Sequence, residues 1–194
     1  MRTLSPSSNE EMIAVFLQGE LDSPRFGDVI ETALHSRGLS RSLIERPNLS
    51  DEAENAQRSS ILFEYRPWLA SADLLKGWPP KAKWQWVELA RKDIENLRYV
   101  TYSYWDELSN GTHSVGDGAS SVRSGKVVFD VPHDNFWKVA HRVDAREDIP
   151  PMIILSNSKG QPHIVIEGHV RATSYLLAEH PPKTLRALLG SVEP

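Results

Sequence analysis

Apolar residues in the first third of the chain recur at helical spacing, whereas several later segments alternate with the period of a strand. The pattern predicts three helices, over Asn9 to Gly19, Phe26 to Ser36 and Asp51 to about Tyr65. Ser7 or Ser8 can cap the first of them, and acidic residues in its first turn complement the helix dipole. Each helix has an apolar face, so together they form a helical lobe that needs a partner surface.

A proline-rich connector follows the third helix. Residues 66–83 hold three prolines and one glycine around Trp68 and Trp78. Prolines stiffen a chain and prevent regular pairing, so this stretch is a domain boundary. We therefore expect a helical lobe over residues 1–80 and a second domain over residues 81–194.

The second domain combines predicted strands with predicted helices. The strands cover Trp84 to Leu89, Tyr99 to Trp105, Met152 to Leu155 and His163 to Ile166. The helices cover 91–97, 119–123, 132–144 and 169–179. Asn157-Ser-Lys-Gly160 is typical of a hairpin turn, and residues 184–189 add either a last strand or a short helix. The sequence thus predicts the α+β class, with the helical lobe packed on a small mixed sheet.

Composition and charge exclude several classes of function. The 194 residues include no cysteine, which removes disulfides, thiolate nucleophiles and cysteine-ligated zinc. The net charge is −4 without a basic cluster, so we do not expect a nucleic-acid partner. No apolar run is long enough for a membrane span, and the first residues lack the apolar core of a secretory signal. We therefore expect a cytoplasmic protein without a membrane partner.

The clearest candidate site is the segment in which a predicted strand turns into a helix across Gly168. The absence of a Cβ at Gly168 permits a tight turn or a close ligand approach. The first amides of the helix have no acceptor within the helix and favour an anion such as phosphate. Arg171 can add a bidentate contact, His169 a hydrogen bond or a proton, and Glu167 a base. Capping and an ordinary salt bridge would explain the same residues without any ligand.

Gly168-His-Val-Arg171 resembles the phosphate-binding turn of the ParB/sulfiredoxin-like superfamily, whose turns read Gly-His-His-Arg, Gly-Cys-His-Arg or Gly-Glu-Arg-Arg. Residues 132–144 and 150–154 resemble the helix and strand that precede this turn. The likeness covers about residues 98–190, and the whole layout is similar to a group of bacterial proteins without an assigned activity.

The resemblance implies a nucleotide- or phosphate-binding protein, with a phosphotransfer or nucleotide-hydrolysing enzyme as its catalytic form. It implies binding of a nucleoside triphosphate with Mg²⁺ by Gly168, His169, Arg171 and Thr173, and catalytic roles for Glu167 and His169. The sequence also departs from the family. The turn has no cysteine, which excludes sulfiredoxin chemistry, and Val170 replaces a side chain that the family uses on phosphates. Only some fifteen residues follow the predicted helix in this sequence, too few for a helix-turn-helix domain, so we do not expect the partition role.

Other motifs add one candidate region and no metal site. Glu107, Ser109 and Thr112 would line the same cleft if the sheet brings their loop beside Gly168, although an ordinary turn explains them as well. The segment Gly118 to Lys126 has the wrong spacing for a P-loop, and Val127 stands where Ser or Thr would bind magnesium. The histidines are not spaced as metal ligands, so we expect no metal ligand set.

Two further classes of function stay open at this stage. The aromatic connector from Tyr65 to Trp84 is consistent with a non-catalytic module whose helical lobe binds a protein partner. A nuclease is the third reading, because some proteins of the superfamily cut nucleic acid. The acidic charge balance argues against it.

Overall fold

The computed structural model describes residues 1–66, 82–156 and 162–191. In these ranges a five-stranded mixed sheet carries helices on both faces, so the predicted α+β class is confirmed. The connector residues Trp68 and Trp78 and the predicted turn at 157–160 lie outside the described residues. No helix in the described ranges is both long and apolar enough to cross a membrane.

The sheet joins strands from both ends of the chain. The strands are β1 (Arg2–Ser7), β2 (Lys83–Ala90), β3 (Met152–Leu155), β4 (Ile164–Glu167) and β5 (Thr184–Ser191). Their order across the sheet is β1-β2-β5-β3-β4. Only the pair of β3 and β5 is parallel among these neighbours, and the remaining pairs are antiparallel.

The helices divide into two layers. The first layer holds α1 (Asn9–Glu20), α2 (Gly27–Ser36), α3 (Ser42–Glu45) and α4 (Glu52–Tyr65). The second holds α5 (Arg91–Glu95), α6 (Ser103–Leu108), α7 (Val115–Arg123), α8 (Asp134–Asp144) and α9 (His169–Leu177). Side-chain caps start α1 and α4, since Ser8 accepts a hydrogen bond from the Glu11 amide and Asp51 from the Glu54 amide.

Alternation along the strands builds a separate core on each face of the sheet. Trp86 of β2 and Ile153 of β3 pack with α1 to α4, while Val87 and Ile154, one position further along, pack with α5 to α9. Successive side chains of a strand point to opposite faces, so a sheet covered on both sides has two apolar faces. The helical lobe is therefore one of two layers that cover a shared sheet.

The structure corrects the sequence analysis in two places. Arg2–Ser7, within the range predicted as a helical lobe, is strand β1 and pairs with β2. The predicted strand from Tyr99 to Trp105 is wrong, because the chain enters α6 at Ser103 and forms only isolated bridges at Arg98. The aromatic residues that suggested a strand are instead packed side chains, as the stacking of Tyr99 on Trp105 shows. Residues 184–189 resolve as part of strand β5.

Candidate functional site

The glycine turn joins the end of β4 to the first residue of α9. Gly168 has φ 96° and ψ 25°, a left-handed conformation, and its carbonyl accepts the amide of Ala172 at 2.8 Å. A Cβ at this position would lie 3.0 Å from Arg171 Nε and 3.0 Å from Met152 Cγ. Both the backbone conformation and the close approach of Arg171 therefore call for glycine here.

Arg171 folds back over the turn. Its Nη2 lies 2.6 Å from Glu167 Oε1, and the side chain is only 10% exposed. The guanidinium also rests against Gly19 of α1, where an added Cβ would be 3.1 Å from Arg171 Nη1. Arg171 therefore links the start of α9 to the helical lobe. An anion that binds Arg171 would use the same guanidinium group that pairs with Glu167.

Two residues that the sequence analysis did not single out complete the site. Arg66, at the end of α4, forms a short ion pair through Nη2 with Oε1 of Glu20, the last residue of α1. The carboxyl groups of Glu20 and Glu167 lie within hydrogen-bonding range of each other. The four side chains thus form one continuous array, Arg66–Glu20–Glu167–Arg171, which we call the charged row. Their exposed side-chain fractions are all at or below 16%.

Aromatic rings hold the outer end of the charged row in place. The guanidinium carbon of Arg66 lies 3.5 Å from the ring centroid of Phe26 and 5.9 Å from that of Phe16. The Tyr65 ring packs on Phe26 with centroids 5.5 Å apart. A guanidinium over an aromatic face is attracted by the ring quadrupole, so these contacts orient Arg66 toward Glu20.

Burial changes the protonation of the charged row. Burial, with a further contribution from Glu167, raises the pKa of Glu20 to about 7, although Arg66 opposes the change. Burial and the charge of Glu20 also raise the pKa of Tyr65. Two like charges at hydrogen-bonding distance cannot both ionise cheaply, so the carboxyl pair retains a proton up to about neutral pH.

His169 is a neutral imidazole at physiological pH. Burial, together with the positive charges of Arg171 and Arg66, lowers its pKa to about 3. The ring makes a hydrogen bond to the backbone of Val165, while Nε2 is buried with no partner among the described residues. The sequence suggested His169 as a proton carrier; in the structure its imidazole stays uncharged near neutral pH, and the catalytic role stays a prediction.

The His169 ring stacks on Trp105 of α6, with centroids 5.0 Å apart and planes inclined by 13°. Tyr99 stacks on the same indole at 4.7 Å, and the centroids of Tyr99 and His169 are 6.1 Å apart. Two rings on opposite faces of an indole would be farther apart than this, so both lie against one face. Helix α6 therefore reaches the glycine turn through Trp105.

The remaining predicted residues have other partners. Thr173 is fully buried, where its hydroxyl donates to the carbonyl of His169 at 2.8 Å and lies 2.7 Å from the Tyr99 hydroxyl. A buried hydroxyl with these contacts does not face a ligand at the surface of the turn. The carboxylate of Glu107 pairs with Lys126 at 2.9 Å, and the hydroxyl of Thr112 bonds to Asp117 at 2.6 Å.

The third predicted cleft residue, Ser109, is buried, and its hydroxyl donates to the Trp105 carbonyl at 2.7 Å and accepts from the His113 amide at 2.9 Å. The hydrogen bonds of Glu107, Ser109 and Thr112 thus hold α6 and its following loop to the region around α7. Within the residues that the structure describes, no three His, Asp or Glu side chains are grouped to hold a metal ion.

Comparison of the chain with protein-family models, curated proteins and solved structures found no match. The likeness to the ParB/sulfiredoxin-like superfamily therefore rests on the residues of the turn, and it stays a prediction.

The glycine turn provides a first test of the site. We expect Gly168→Ala to lower the free energy of unfolding by roughly 2–4 kcal/mol, since a left-handed alanine costs about 1–2 kcal/mol and the displacement of Arg171 adds to it. Gly38→Ala is the matched control, because Gly38 also has a positive φ (65°) but an added Cβ meets no atom within 4 Å. Urea unfolding of both variants measures the difference; equal losses would show that Arg171 adjusts freely.

Proposed function

We propose that the protein binds a phosphate-bearing small molecule, of the nucleotide class, at the amino end of α9. One observation carries the proposal. Arg171, in the first turn of α9, pairs with Glu167, and Arg66, the residue after α4, pairs with Glu20, so the charged row places two guanidinium groups in one array with the amino end of α9. Guanidinium groups and the first amides of a helix are the donors that phosphate oxygens require.

The charge balance of the row supports an anion. With one proton on the carboxyl pair, the two arginines outweigh the single remaining carboxylate and leave one net positive charge. The dipole of α9, a helix of nine residues, adds partial positive charge at the same end.

If the protein is a phosphotransfer or hydrolytic enzyme, its acid–base groups would be the carboxyl groups of Glu20 and Glu167. General acid–base chemistry works best with a group whose pKa is close to the working pH. The pKa of Glu20 is about 7, whereas that of His169 is about 3, so Glu20 meets this condition and His169 does not. If the site performs phosphotransfer or hydrolysis, we assign acid–base work to Glu20 together with Glu167, and ligand contact to His169.

Thermal shift with phosphate, pyrophosphate, ATP, CTP and GTP, each with and without Mg²⁺, tests the proposal. A ligand at about 100 times its Kd raises the unfolding free energy by about 2.7 kcal/mol, which is a shift of several degrees for a domain of this size. We expect such a shift for at least one of these ligands, and we expect Arg171→Lys to reduce it, because lysine keeps the charge but loses the bidentate contact.

Arg142→Lys is the matched control, since Arg142 forms an exposed ion pair with Glu147 at 2.7 Å away from the charged row. Its ligand-induced shift should equal that of the unmodified protein. An absence of any shift, or the same shift in Arg171→Lys as in Arg142→Lys, would contradict the proposal.

A protein-binding role is the second candidate, and one observation favours it. The segment between α7 and α8 exposes Val127 (68%), Phe129 (63%) and Val131 (44%), and the first turn of α8 exposes Trp137 (38%). Phe129 and Asp130 both have positive φ, which is unusual for residues with a side chain and presents the Phe129 ring at the tip of the turn. The sequence analysis expected the helical lobe to bind a protein partner, whereas this exposed surface lies on the other helical layer.

A further inference from the structure

The charged row contains a buried oxygen that lacks a hydrogen-bond donor. Glu20 is only 4% exposed, and its Oε1 accepts from Arg66. Its Oε2 is buried and has no partner among the described residues. Buried polar atoms are nearly always hydrogen-bonded, and an ionised carboxylate can only accept, so this oxygen requires a proton from somewhere.

A donor without an acceptor lies in the same ion pair. Arg66 uses Nη2 to bind Glu20, whereas its Nε is buried and has no partner in the described part of the chain. One residue pair therefore presents an unsatisfied N–H beside an unsatisfied carboxylate oxygen. A ligand that satisfies both atoms must accept a hydrogen bond from Arg66 and donate one to Glu20.

The titratable and charged groups around Glu20 come from three parts of the fold. Tyr65 ends α4 and Arg66 follows it, Glu167 ends β4, and His169 and Arg171 lie in the first turn of α9. Glu167 is itself a carboxyl whose Oε1 accepts from Arg171. The Glu167 carboxyl can form a hydrogen bond with Glu20 Oε2 only if one of the two carboxyl groups carries a proton. The site therefore requires one proton between Glu20 and its partner, both without a ligand and with one.

Resting on the phosphate site proposed above, we propose that Glu20 makes the site selective for an oxyanion that carries its own proton, so that it accepts hydrogen phosphate and rejects sulfate. Hydrogen phosphate offers oxygens to Arg66 and a hydroxyl to Glu20 Oε2. Sulfate has the same charge and nearly the same shape as hydrogen phosphate, but it carries no proton. One of its oxygens would therefore lie against Glu20 Oε2, and two buried acceptors without a hydrogen between them repel each other.

The selectivity depends on pH in a defined direction. Above the pKa of Glu20, which is about 7, the carboxyl pair has lost its proton, and a ligand that carries a proton can supply one. Below that pKa the protein provides the proton and either anion can be accepted.

Calorimetric titration of the full chain with sodium phosphate and sodium sulfate, at equal ionic strength, tests the inference. At about pH 8.5 we expect phosphate to bind at least roughly tenfold more tightly than sulfate, the cost of a buried acceptor without a donor. At about pH 6 we expect the ratio to shrink, because the protonated carboxyl then donates to sulfate.

The variant Glu20→Gln supplies a permanent N–H donor in nearly the same shape, so it should raise sulfate affinity at about pH 8.5 and narrow the ratio. Glu147→Gln, at an exposed ion pair, should leave the ratio unchanged. Equal binding of phosphate and sulfate to the unmodified protein at the higher pH would overturn the selectivity while leaving the phosphate site intact. Failure of both anions and of every nucleotide to bind would overturn the site itself.

Discussion

Replacing Arg171 by alanine is expected to lower the free energy of unfolding by roughly 3–5 kcal/mol, the largest loss among the variants considered. The reason is the charge that remains. Glu167, with 16% of its side chain exposed, would lose the guanidinium that lies 2.6 Å from its Oε1. Its carboxylate would then lie beside the carboxyl group of Glu20 without the positive charge of Arg171 to balance it. The substitution also empties the space against Gly19 and Gly168 that the guanidinium fills. Urea unfolding monitored by tryptophan fluorescence measures the loss.

Two comparisons separate charge from packing in this result. Arg142→Ala breaks an exposed ion pair and should cost at most about 1 kcal/mol. In a Glu167→Gln background no charge is left unpaired at Glu167, so Arg171→Ala should cost less than half of its value in the unmodified protein. An undiminished cost in that background would show that Arg171 stabilises the fold by packing alone.

The second large effect concerns pH. Because the folded pKa of Glu20 is raised from 4.5 to about 7, the folded state holds a proton that the unfolded state has released. The stabilisation by this proton is complete below about pH 4.5 and is lost as the pH rises through 7. A shift of this size corresponds to roughly 3 kcal/mol.

Glu20→Gln removes this dependence, so the stability of the unmodified protein relative to the variant should fall across that pH range. Urea unfolding of both proteins at several pH values from about 4.5 to 8 measures the difference. The comparison cancels the opposite contribution of His169, whose lowered pKa makes the fold lose stability as the solution becomes more acidic. A difference that does not change with pH would mean that Glu20 titrates normally in the folded protein.

The local pattern of the sequence was sufficient for most of the regular structure. Helices α1, α2 and α4 carry their own caps or continuous apolar faces, and strands β2, β3 and β4 combine β-branched or aromatic residues with alternation. Strand β1 was missed because it is an exposed edge strand, with Pro6 and serines and almost no buried side chain to produce a pattern.

The turn itself was predicted for a local reason, whereas its partners were not. Gly168 and Arg171 are three residues apart, so a motif can relate them. Glu20 and Arg66 reach the turn only through the packing of α1 and α4 on the sheet, and no spacing in a single sequence relates residue 20 to residue 167. The local signal was an acidic residue after Gly19, close behind the apolar run from Met12 to Leu17 in α1.

Strand order also determines when the site can form during folding. The central ladder pairs β2 with β5, which lie roughly a hundred residues apart in the chain, and such distant pairings close slowly because the loop entropy is lost before contacts compensate it. The charged row unites residues from α1, α4, β4 and α9. Until those distant segments meet, Glu20 and Glu167 remain hydrated, independent acids. The unusual acidity of the site is therefore a property of the finished fold and a late event in its assembly.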